Sequence, residues 1–312
     1  MKIKLVFFGT SSFAATVLER LLGDPAFSVV AVVTATDKPV GRKQEMQESS
    51  VAKAAAKYPV PVLKPKFLKD EAIFQELKKF SADIFLVAAY GKIIPKNILD
   101  LPKLGPINIH GSLLPEYRGA SPIHAAILDD RSKTGITIMR MDEQMDHGEI
   151  LIKHDLPIAP DQTEPELEKT MAELAAKHIA EDLLLVASGK IYPEIQDHSK
   201  ATFTKIINKE DGLVDWSKSA TQIFNQFRAY AAWPGIYTFF DGKRLKIISC
   251  KPFEIGVQDS ASGKVFINED RIFVYCGQGS LELLNLQIEG KNTSSAKDFI
   301  LGHNNFIGTL LN

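Results

Sequence analysis

Short apolar runs that alternate with helical repeats constrain the fold of this chain more than any other feature. Residues 3–8 (IKLVFF) are apolar except for Lys4 and are followed by Gly9, which is typical of a strand buried on both faces. Apolar residues at helical spacing continue to Gly23, and residues 28–34 (SVVAVVT) form a second apolar run. The alternation continues through the first half of the chain. It predicts an α/β fold with a Rossmann-like, doubly wound parallel sheet.

The pattern changes near residue 209, where one helical repeat is followed by strand-like runs at short spacing. An Asp241-Gly242 pair between two such runs predicts a tight hairpin. Roughly five short strands in about a hundred residues predict a smaller C-terminal β-barrel of the OB-like kind. We therefore expect a catalytic domain over residues 1–189, a linker over residues 190–208 and a β-barrel domain over residues 209–312.

Charge and cysteine content set weak limits on partners and location. The formal net charge is −1, so no strong overall field favours nucleic acid or membrane. The chain from Lys200 onward contains thirteen Lys and Arg residues and eleven Asp and Glu residues. This slight basic excess could serve an RNA partner or could simply belong to a solvated surface. Cys250 and Cys276 match no metal or redox spacing, which favours a reduced, cytoplasmic location. No apolar run approaches the length of a membrane span.

A polar insertion over residues 35–50 is too long for an ordinary connection between a strand and a helix. It is either a solvated surface loop or a segment that grips a substrate with Lys38, Arg42 and Lys43. The first strand-to-helix turn, GTSSF, lacks the G-x-G-x-x-G spacing, and this disfavours a dinucleotide cofactor.

The stretch over residues 105–122 (GPINIHGSLLPEYRGASP) predicts a catalytic strand end. Asn108 and His110 alternate with apolar residues and so share one face of a strand, and a turn-rich segment follows. Ligands of open α/β sheets lie beyond the carboxyl ends of the strands. We expect Tyr90-Gly91 and the turn Asp142–Gly148 to reach the same edge from neighbouring strands.

The residues of this predicted site favour direct group transfer. Asn108 can donate hydrogen bonds, and His110 can donate or accept them. Asp146 can orient the histidine, accept a proton or raise the basicity of a nearby amine. Neither cysteine is near in sequence, and Ser112 lacks a nucleophile-elbow motif. Asn108 and His110 would then stabilise an oxyanion, while Asp146 would manage the proton of an incoming amine.

Structural and metal-binding interpretations of the same residues stay open. The polar face could belong to an exposed edge strand, and Asp146 could be an ordinary turn residue. Four histidines lie near one another in sequence, at positions 110, 124, 147 and 154, but no HxH or HExxH spacing occurs, which disfavours zinc.

The stretch INIHGSLLPEYRGASPI, followed 36 residues after His110 by Asp146 in MDEQMDHGEI, resembles the folate-dependent formyltransferases. Three further segments are similar to the branch of that family whose acceptor is methionyl-tRNA: FFGTSSFAATVLERL, VVTATDKPVGR and, over Ala220–Thr238, ATQIFNQFRAYAAWPGIYT. The resemblance covers nearly the whole chain.

The resemblance implies 10-formyltetrahydrofolate as cosubstrate, with no metal. It implies the α-amino group of methionine on initiator Met-tRNA as acceptor, and a role in translation initiation. The residues that match functional positions of the family are Asn108, His110 and Asp146 for catalysis, Ser112, Leu113, Leu114 and Pro115 for the folate, and Arg42 for the tRNA acceptor end. The barrel would bind the acceptor arm. We expect a monomer, since no coiled-coil repeat is present.

Two alternatives remain at this point. A different member of the same superfamily would formylate an amino-sugar nucleotide or glycinamide ribonucleotide, or would hydrolyse the formyl group. Such a small acceptor would not require the insertion over residues 35–50 or the second domain. A noncatalytic RNA-binding protein is the other alternative, and the intact set of Asn108, His110 and Asp146 argues against it.

Overall fold

The computed structural model describes residues 2–40, 44–254 and 261–311. The chain forms two compact units. The first unit consists of Met1–Pro122, Lys133–Pro157 and Glu166–Lys205, and the second consists of Ile123–Ser132, Ile158–Pro165 and Ile206–Asn312. Among the described residues, no helix is both long enough and apolar enough to cross a membrane.

The first unit is built on a seven-stranded sheet with two small two-stranded sheets beside it. Its strands, in chain order, are β1 (Ile3–Gly9), β2 (Phe27–Val33), β3 (Lys38–Val40), β4 (Glu45–Gln47), β5 (Val62–Leu63), β6 (Ile84–Ala88), β7 (Pro106–His110), β8 (Arg118–Gly119), β9 (Lys133–Arg140), β10 (Ile150–Pro157) and β11 (Phe203–Thr204). The α-helices up to residue 187 are α1 (Ser12–Leu22), α2 (Ser50–Ala55), α3 (Glu71–Lys79), α4 (Lys96–Leu99), α5 (Pro122–Leu128) and α6 (Glu164–Ala187).

The large sheet has the order β10-β9-β7-β6-β1-β2-β5. Its five strands from β7 to β5 are parallel, as the alternation of strands and helices predicts. β6 is apolar and buried along its whole length, and β1 is buried from Leu5 to Gly9, because both faces of the sheet are covered. Ser11 precedes α1 and accepts a hydrogen bond from the Ala14 amide with its hydroxyl, which satisfies one of the free amides at the helix start.

Strand β9 differs from the predicted parallel arrangement, whereas an antiparallel edge strand near Ile150–His154 is expected from the sequence and is confirmed. β9 is antiparallel to β7, with Ile107 opposite Arg140 and His110 opposite Thr137, and β10 is antiparallel to β9. The end of β9 therefore lies beside the start of β7. The expectation that Asp142–Gly148 leaves the sheet at the same edge as His110 is wrong, because that turn begins at the opposite edge.

The insertion over residues 35–50 contains a short hairpin. β3 and β4 are antiparallel, with Lys38 opposite Gln47. The Lys64 ammonium group contacts carboxylates on both sides of the hairpin, at 2.7 Å from Asp37 and 2.8 Å from Glu48. The hairpin is thus tied to the body of the unit at its base. Arg42 and Lys43, which were predicted to grip a substrate, lie outside the described residues.

The second unit has a separate antiparallel sheet. Its strands are β12 (Ile236–Phe240), β13 (Lys243–Phe253), β14 (Val265–Asn268), β15 (Arg271–Tyr275), β16 (Ser280–Ile288) and β17 (Ser294–Ser295), and its later helices are α7 (Ala220–Ala229) and α8 (Ala296–Leu301). The strand order is β12-β13-β16-β15-β14, with β17 paired to β16. Asp241 and Gly242 both have positive φ, as the predicted hairpin requires. The predicted fold class, an α/β domain followed by a smaller C-terminal β domain, is confirmed, and the closure of the antiparallel sheet into an OB-like barrel stays a prediction.

Candidate active site

Strand β7 presents the two polar side chains at its carboxyl end. Ile107 and Ile109 are buried in the core, and Asn108 and His110 point to the opposite face because side chains alternate along a strand. β7 is held between β6 and β9, so its backbone is paired on both edges. The strand therefore fixes Asn108 and His110 side by side, as predicted.

His110 is oriented by a backbone carbonyl. Its side chain is only 6% exposed, and its Nε2 lies 2.9 Å from the carbonyl oxygen of Tyr117. A carbonyl can only accept, so Nε2 carries the hydrogen of this bond. Nδ1 is then the ring nitrogen that faces the rest of the site, where it lies 3.5 Å from Oδ1 of Asp146. A proton at Nδ1 would be stabilised by that carboxylate.

The two oxygens of Asp146 have different surroundings. Oδ2 accepts a hydrogen bond of 2.8 Å from the Gly119 amide. Oδ1 lies 3.5 Å from both Nδ2 of Asn108 and Nδ1 of His110. These two contacts are long for hydrogen bonds, whereas the contact to Gly119 is short. One oxygen is thus anchored to the protein, and the other is available to a reacting group.

The structure brings Asn108, His110 and Asp146 together, although the turn that carries Asp146 starts at the far edge of the sheet. Asp146 has a φ of 49°, in the left-handed region that ordinary residues seldom adopt. The turn thus bends sharply at the residue whose carboxylate enters the site.

The predicted folate turn over residues 112–115 is joined to β9 by hydrogen bonds. The Ser112 hydroxyl donates to the Glu116 carbonyl at 2.6 Å. The Thr137 hydroxyl donates to the Ser112 carbonyl and accepts from the Leu114 amide. Leu114 is buried, whereas Leu113 and Pro115 are half-buried. Within this turn, Leu113, Pro115 and main-chain groups are therefore the best placed to contact a ligand, and the folate-binding role stays a prediction.

Two buried side chains of the site, Arg118 and Gln196, are not marked by any pattern in the sequence. Both are 3% exposed. Nε and Nη2 of Arg118 donate to Oε1 of Gln196 at 3.1 and 2.6 Å. Nε2 of Gln196 in turn donates to the carbonyl oxygens of Asp146 and Gly148 at 2.9 and 2.7 Å. The aperiodic segment over residues 190–208 gave no signal for this contact.

The same segment pairs with the turn that follows β7. β11 is parallel to β8, with Phe203 opposite Arg118 and Thr204 opposite Gly119. Gly119 has a φ of 109°, and a Cβ atom there would lie 2.6 Å from the Thr204 carbonyl oxygen. Only glycine fits this approach without a shift. The pairing holds the Gly119 amide where it meets Asp146.

Two further histidines stack beside the site. The rings of His147 and His198 are 4.1 Å apart and nearly parallel. Nδ1 of His147 contacts Asp142 at 2.6 Å, and Nδ1 of His198 accepts from Arg118 at 2.8 Å. Where the chain is described, no three His, Cys, Asp or Glu side chains converge in a way that could hold a metal ion.

Comparison with known proteins relates this site to a family. A family model described as Formyl transferase matches residues 1–183, and one described as Formyl transferase, C-terminal domain, matches residues 206–304. A methionyl-tRNA formyltransferase of Caldicellulosiruptor saccharolyticus is 43% identical over 302 residues, which cover 96% of each chain. One of Caldanaerobacter subterraneus subsp. tengcongensis is 41% identical and covers 99% of this chain and all of its own. This chain belongs to the methionyl-tRNA formyltransferase family. The resemblance drawn from the sequence motifs is confirmed.

Solved structures extend the comparison to the fold of the methionyl-tRNA formyltransferase family. The N-formyltransferase of Helicobacter canadensis, crystallised with folinic acid and dTDP-3-aminofucose, has a TM-score of 0.68 over 90% of this chain and 98% of its own. A sugar 3N-formyltransferase crystallised with dTDP and 5-N-formyl-THF has a TM-score of 0.67 over 94% and 100%. Both are 18% identical to this chain, so they show a shared fold.

Proposed function

We propose that this chain transfers the formyl group of 10-formyltetrahydrofolate to the α-amino group of methionine on initiator Met-tRNA. The observation that carries the proposal is the convergence of Asn108, His110 and Asp146 at one strand end, with one oxygen of Asp146 anchored and the other open. The near full-length relatives, at 43% and 41% identity, support the choice of acceptor.

The cosubstrate supplies the formyl carbon that the amine attacks, and the protein stabilises the charges that develop. Asn108 Nδ2 and protonated His110 Nδ1 donate hydrogen bonds to the formyl oxygen as it becomes negative. Asp146 Oδ1 takes the proton that the amine loses when its bond to carbon forms. The bond from carbon to the folate nitrogen then breaks, and His110 Nδ1 returns a proton to that nitrogen. After the transfer, His110 is neutral and Asp146 carries the proton taken from the amine. This proton then passes from Asp146 to His110, which restores the starting state.

Direct transfer is supported by the state of the nearby hydroxyl and of the thiols. The Ser112 hydroxyl donates to the Glu116 carbonyl inside the turn. Cys250 and Cys276 are buried in the second unit, where burial raises the pKa of the Cys276 thiol to about 12. These groups are poorly suited to attack a formyl carbon, because the thiolate is the reactive form of cysteine. A cytoplasmic location agrees with two reduced thiols.

The residues around the strand end fit a folate. Its formyl oxygen needs hydrogen-bond donors, which Asn108 and His110 supply, and its ring system needs apolar cover. β6 is parallel to β7, with Ala88 opposite Ile109, so the loop after β6 begins beside His110. Ile93 in that loop is 86% exposed. We assign Ile93 and the turn Ser112–Pro115 to folate binding.

The second domain and the insertion are assigned to the tRNA. Residues 1–189 would form the catalytic domain and residues 209–312 the domain that binds the acceptor arm, joined by residues 190–208. Arg42, in the insertion, would grip the acceptor end, and the protein would act as a monomer. Replacing Arg42 with Ala should raise KM for Met-tRNA and leave KM for the folate unchanged. An unchanged KM for the tRNA would refute this role.

The decisive test mixes the protein with charged initiator tRNA and 10-formyltetrahydrofolate and measures formyl-methionyl-tRNA. Asp146→Asn should lower kcat by about 10²- to 10⁴-fold, because it removes the proton acceptor. Glu143→Gln is the matched control, since Glu143 is an exposed carboxylate of the same turn, and its kcat should not change. No product from the wild type, with an active control enzyme alongside, would refute the function. Product from an amino-sugar nucleotide or glycinamide ribonucleotide instead would favour the alternative acceptors.

A further inference from the structure

The turn that carries Asp146 needs an external support. Its residues 142–145 are exposed, and Asp146 itself has a left-handed backbone. Gln196 supplies both of its amide hydrogens to this turn, to the carbonyl oxygens of Asp146 and Gly148 at 2.9 and 2.7 Å. A buried side-chain amide with both hydrogens bonded to the main chain fixes two peptide planes at once. Gln196 is 50 residues from Asp146 in sequence, so this support comes from another part of the fold.

The orientation of the Gln196 amide is set by Arg118. The guanidinium group has only donors, and the two carbonyls have only acceptors, so the amide oxygen must face Arg118 and its nitrogen must face the turn. Arg118 is nearly fully buried, and its Nη2 also donates to Nδ1 of His198 at 2.8 Å. Neither of these two acceptors is a carboxylate. A buried guanidinium group is costly unless its hydrogens are bonded, so Arg118 holds Gln196 firmly.

Arg118 and Gly119 hold two different parts of Asp146, its main chain and its carboxylate. The Arg118 side chain acts on the Asp146 main chain through Gln196, and the Gly119 amide donates to Oδ2 of the Asp146 carboxylate. Backbone and side chain of the proton acceptor are thus fixed from neighbouring residues of one strand, β8. A loss of either contact would let Oδ1 move relative to Asn108 and His110.

We propose that Gln196 is a positioning residue for Asp146 and that Arg118 holds it in the required orientation. The inference rests on the proposed function, because Asp146 must be the proton acceptor of the transfer. Gln196 fixes the position of Asp146 relative to Asn108 and His110 and does not bind either substrate. Misplacement of a reacting group by about 1 Å costs on the order of 10²-fold in rate. Loss of Gln196 should therefore appear in kcat.

The test is Gln196→Met, which keeps the length of the side chain and removes its hydrogen bonds. We expect kcat for formyl-methionyl-tRNA synthesis to fall by about 10- to 100-fold, with both KM values within about twofold. In an Asp146→Asn background the same substitution should cost less than about twofold, because the group it positions is gone. Equal losses in both backgrounds would overturn the proposal.

Gln226→Met is the matched control. Gln226 holds a turn of the second unit in the same way, with Nε2 donating to the carbonyls of Asp211 at 2.7 Å and Leu213 at 3.0 Å. Because it lies in the domain assigned to the tRNA, its loss is allowed to change KM for Met-tRNA, but it should lower stability in urea unfolding and keep kcat at saturating substrates. An equal fall of kcat in both variants would show that lost stability, and not positioning, is the cause. An inactive wild type would refute the proposed function itself, which separates the two failures.

A second variant and a second measurement test the same proposal independently of the Gln196→Met variant and of turnover. If Gln196→Met does not fold, Gln196→Glu replaces it, since a carboxylate keeps the contact with Arg118 but has no hydrogens for the two carbonyls. The same fall in kcat is expected, and an unchanged kcat would overturn the proposal. Hydrogen exchange of the Gly119 amide gives a readout without turnover. Exchange should be faster in the variant if Asp146 has moved, and an unchanged rate would contradict the inference.

Discussion

A single methyl group at Gly119 should damage both stability and rate. The Cβ atom of Gly119→Ala would lie 2.6 Å from the carbonyl oxygen and 2.9 Å from the hydroxyl oxygen of Thr204. Real Cβ atoms do not approach backbone oxygens this closely, so β8 and β11 must separate. The same residue has a φ of 109°, which an L side chain seldom adopts. The substitution therefore adds strain and breaks a contact together.

The magnitude follows from the two effects. The left-handed backbone costs an alanine about 1 to 2 kcal/mol. Separation of β8 from β11 moves the Gly119 amide away from Oδ2 of Asp146, where the 2.8 Å bond is assisted by the charge of the carboxylate. Loss of such a bond costs about 1.5 to 3 kcal/mol. The free energy of unfolding should fall by about 2.5 to 5 kcal/mol, and kcat by about 10- to 100-fold, because Oδ1 loses its fixed position.

Gly189→Ala is the control that separates strain from position. Gly189 also has a positive φ, of 68°, but an added Cβ meets nothing within 4 Å. It should lose only the backbone strain of about 1 to 2 kcal/mol and keep kcat. Urea unfolding measures the free energies, and initial rates at saturating folate and Met-tRNA measure kcat. Equal losses of stability in the two variants, with kcat unchanged in both, would refute the reasoning.

Three other perturbations test separate parts of the structure. His110→Ala should lower kcat by about two to four powers of ten, measured in the formylation assay, since it removes an oxyanion donor and a proton carrier. Burial raises the pKa of Asp182 above its ordinary value, so the stability this group contributes is complete below its unfolded pKa and is lost as pH rises through its folded pKa. Asp182→Asn should therefore gain stability relative to the wild type as pH rises above about 4, the ordinary pKa of an aspartate, in urea unfolding, and a gain at falling pH would contradict this sign. The Tyr90 hydroxyl is buried without a partner among the described residues, and burial raises its pKa to about 12. Tyr90→Phe should therefore leave the free energy of unfolding unchanged or raise it by about 1 kcal/mol. A fall of that size in urea unfolding would contradict the absence of a hydrogen bond.

Local patterns were enough to predict the elements that carry the donors. Asn108 and His110 alternate with buried isoleucines, so a strand interpretation places both on one face without any knowledge of the rest of the chain. The Asp241-Gly242 hairpin was predictable for a similar reason, because a two-residue turn with both φ values positive strongly selects Asp-Gly. Each of these features depends on residues that are close in sequence.

Strand direction was not predictable in the same way. The apolar alternation of β9 satisfies a parallel and an antiparallel neighbour equally well, because side chains alternate in both. A parallel β9 would place the turn Asp142–Gly148 at the carboxyl edge of the sheet. The register, with His110 opposite Thr137, shows instead that the turn must come back along the sheet to bring Asp146 to His110.

Gln196 and Arg118 were missed because nothing periodic marks them. A single polar residue in an aperiodic segment is predicted to be solvent-exposed. Only the fold shows that the Gln196 amide is buried against main-chain carbonyls. Because β9 is antiparallel, the Asp146 turn does not end on a strand of the parallel set, and sheet hydrogen bonds cannot fix its tip. The segment over residues 194–204 supplies that missing support. The donors of the site are therefore fixed by local strand geometry, while the proton acceptor is fixed by long-range contacts, and rate should be more sensitive than substrate binding to changes in that segment.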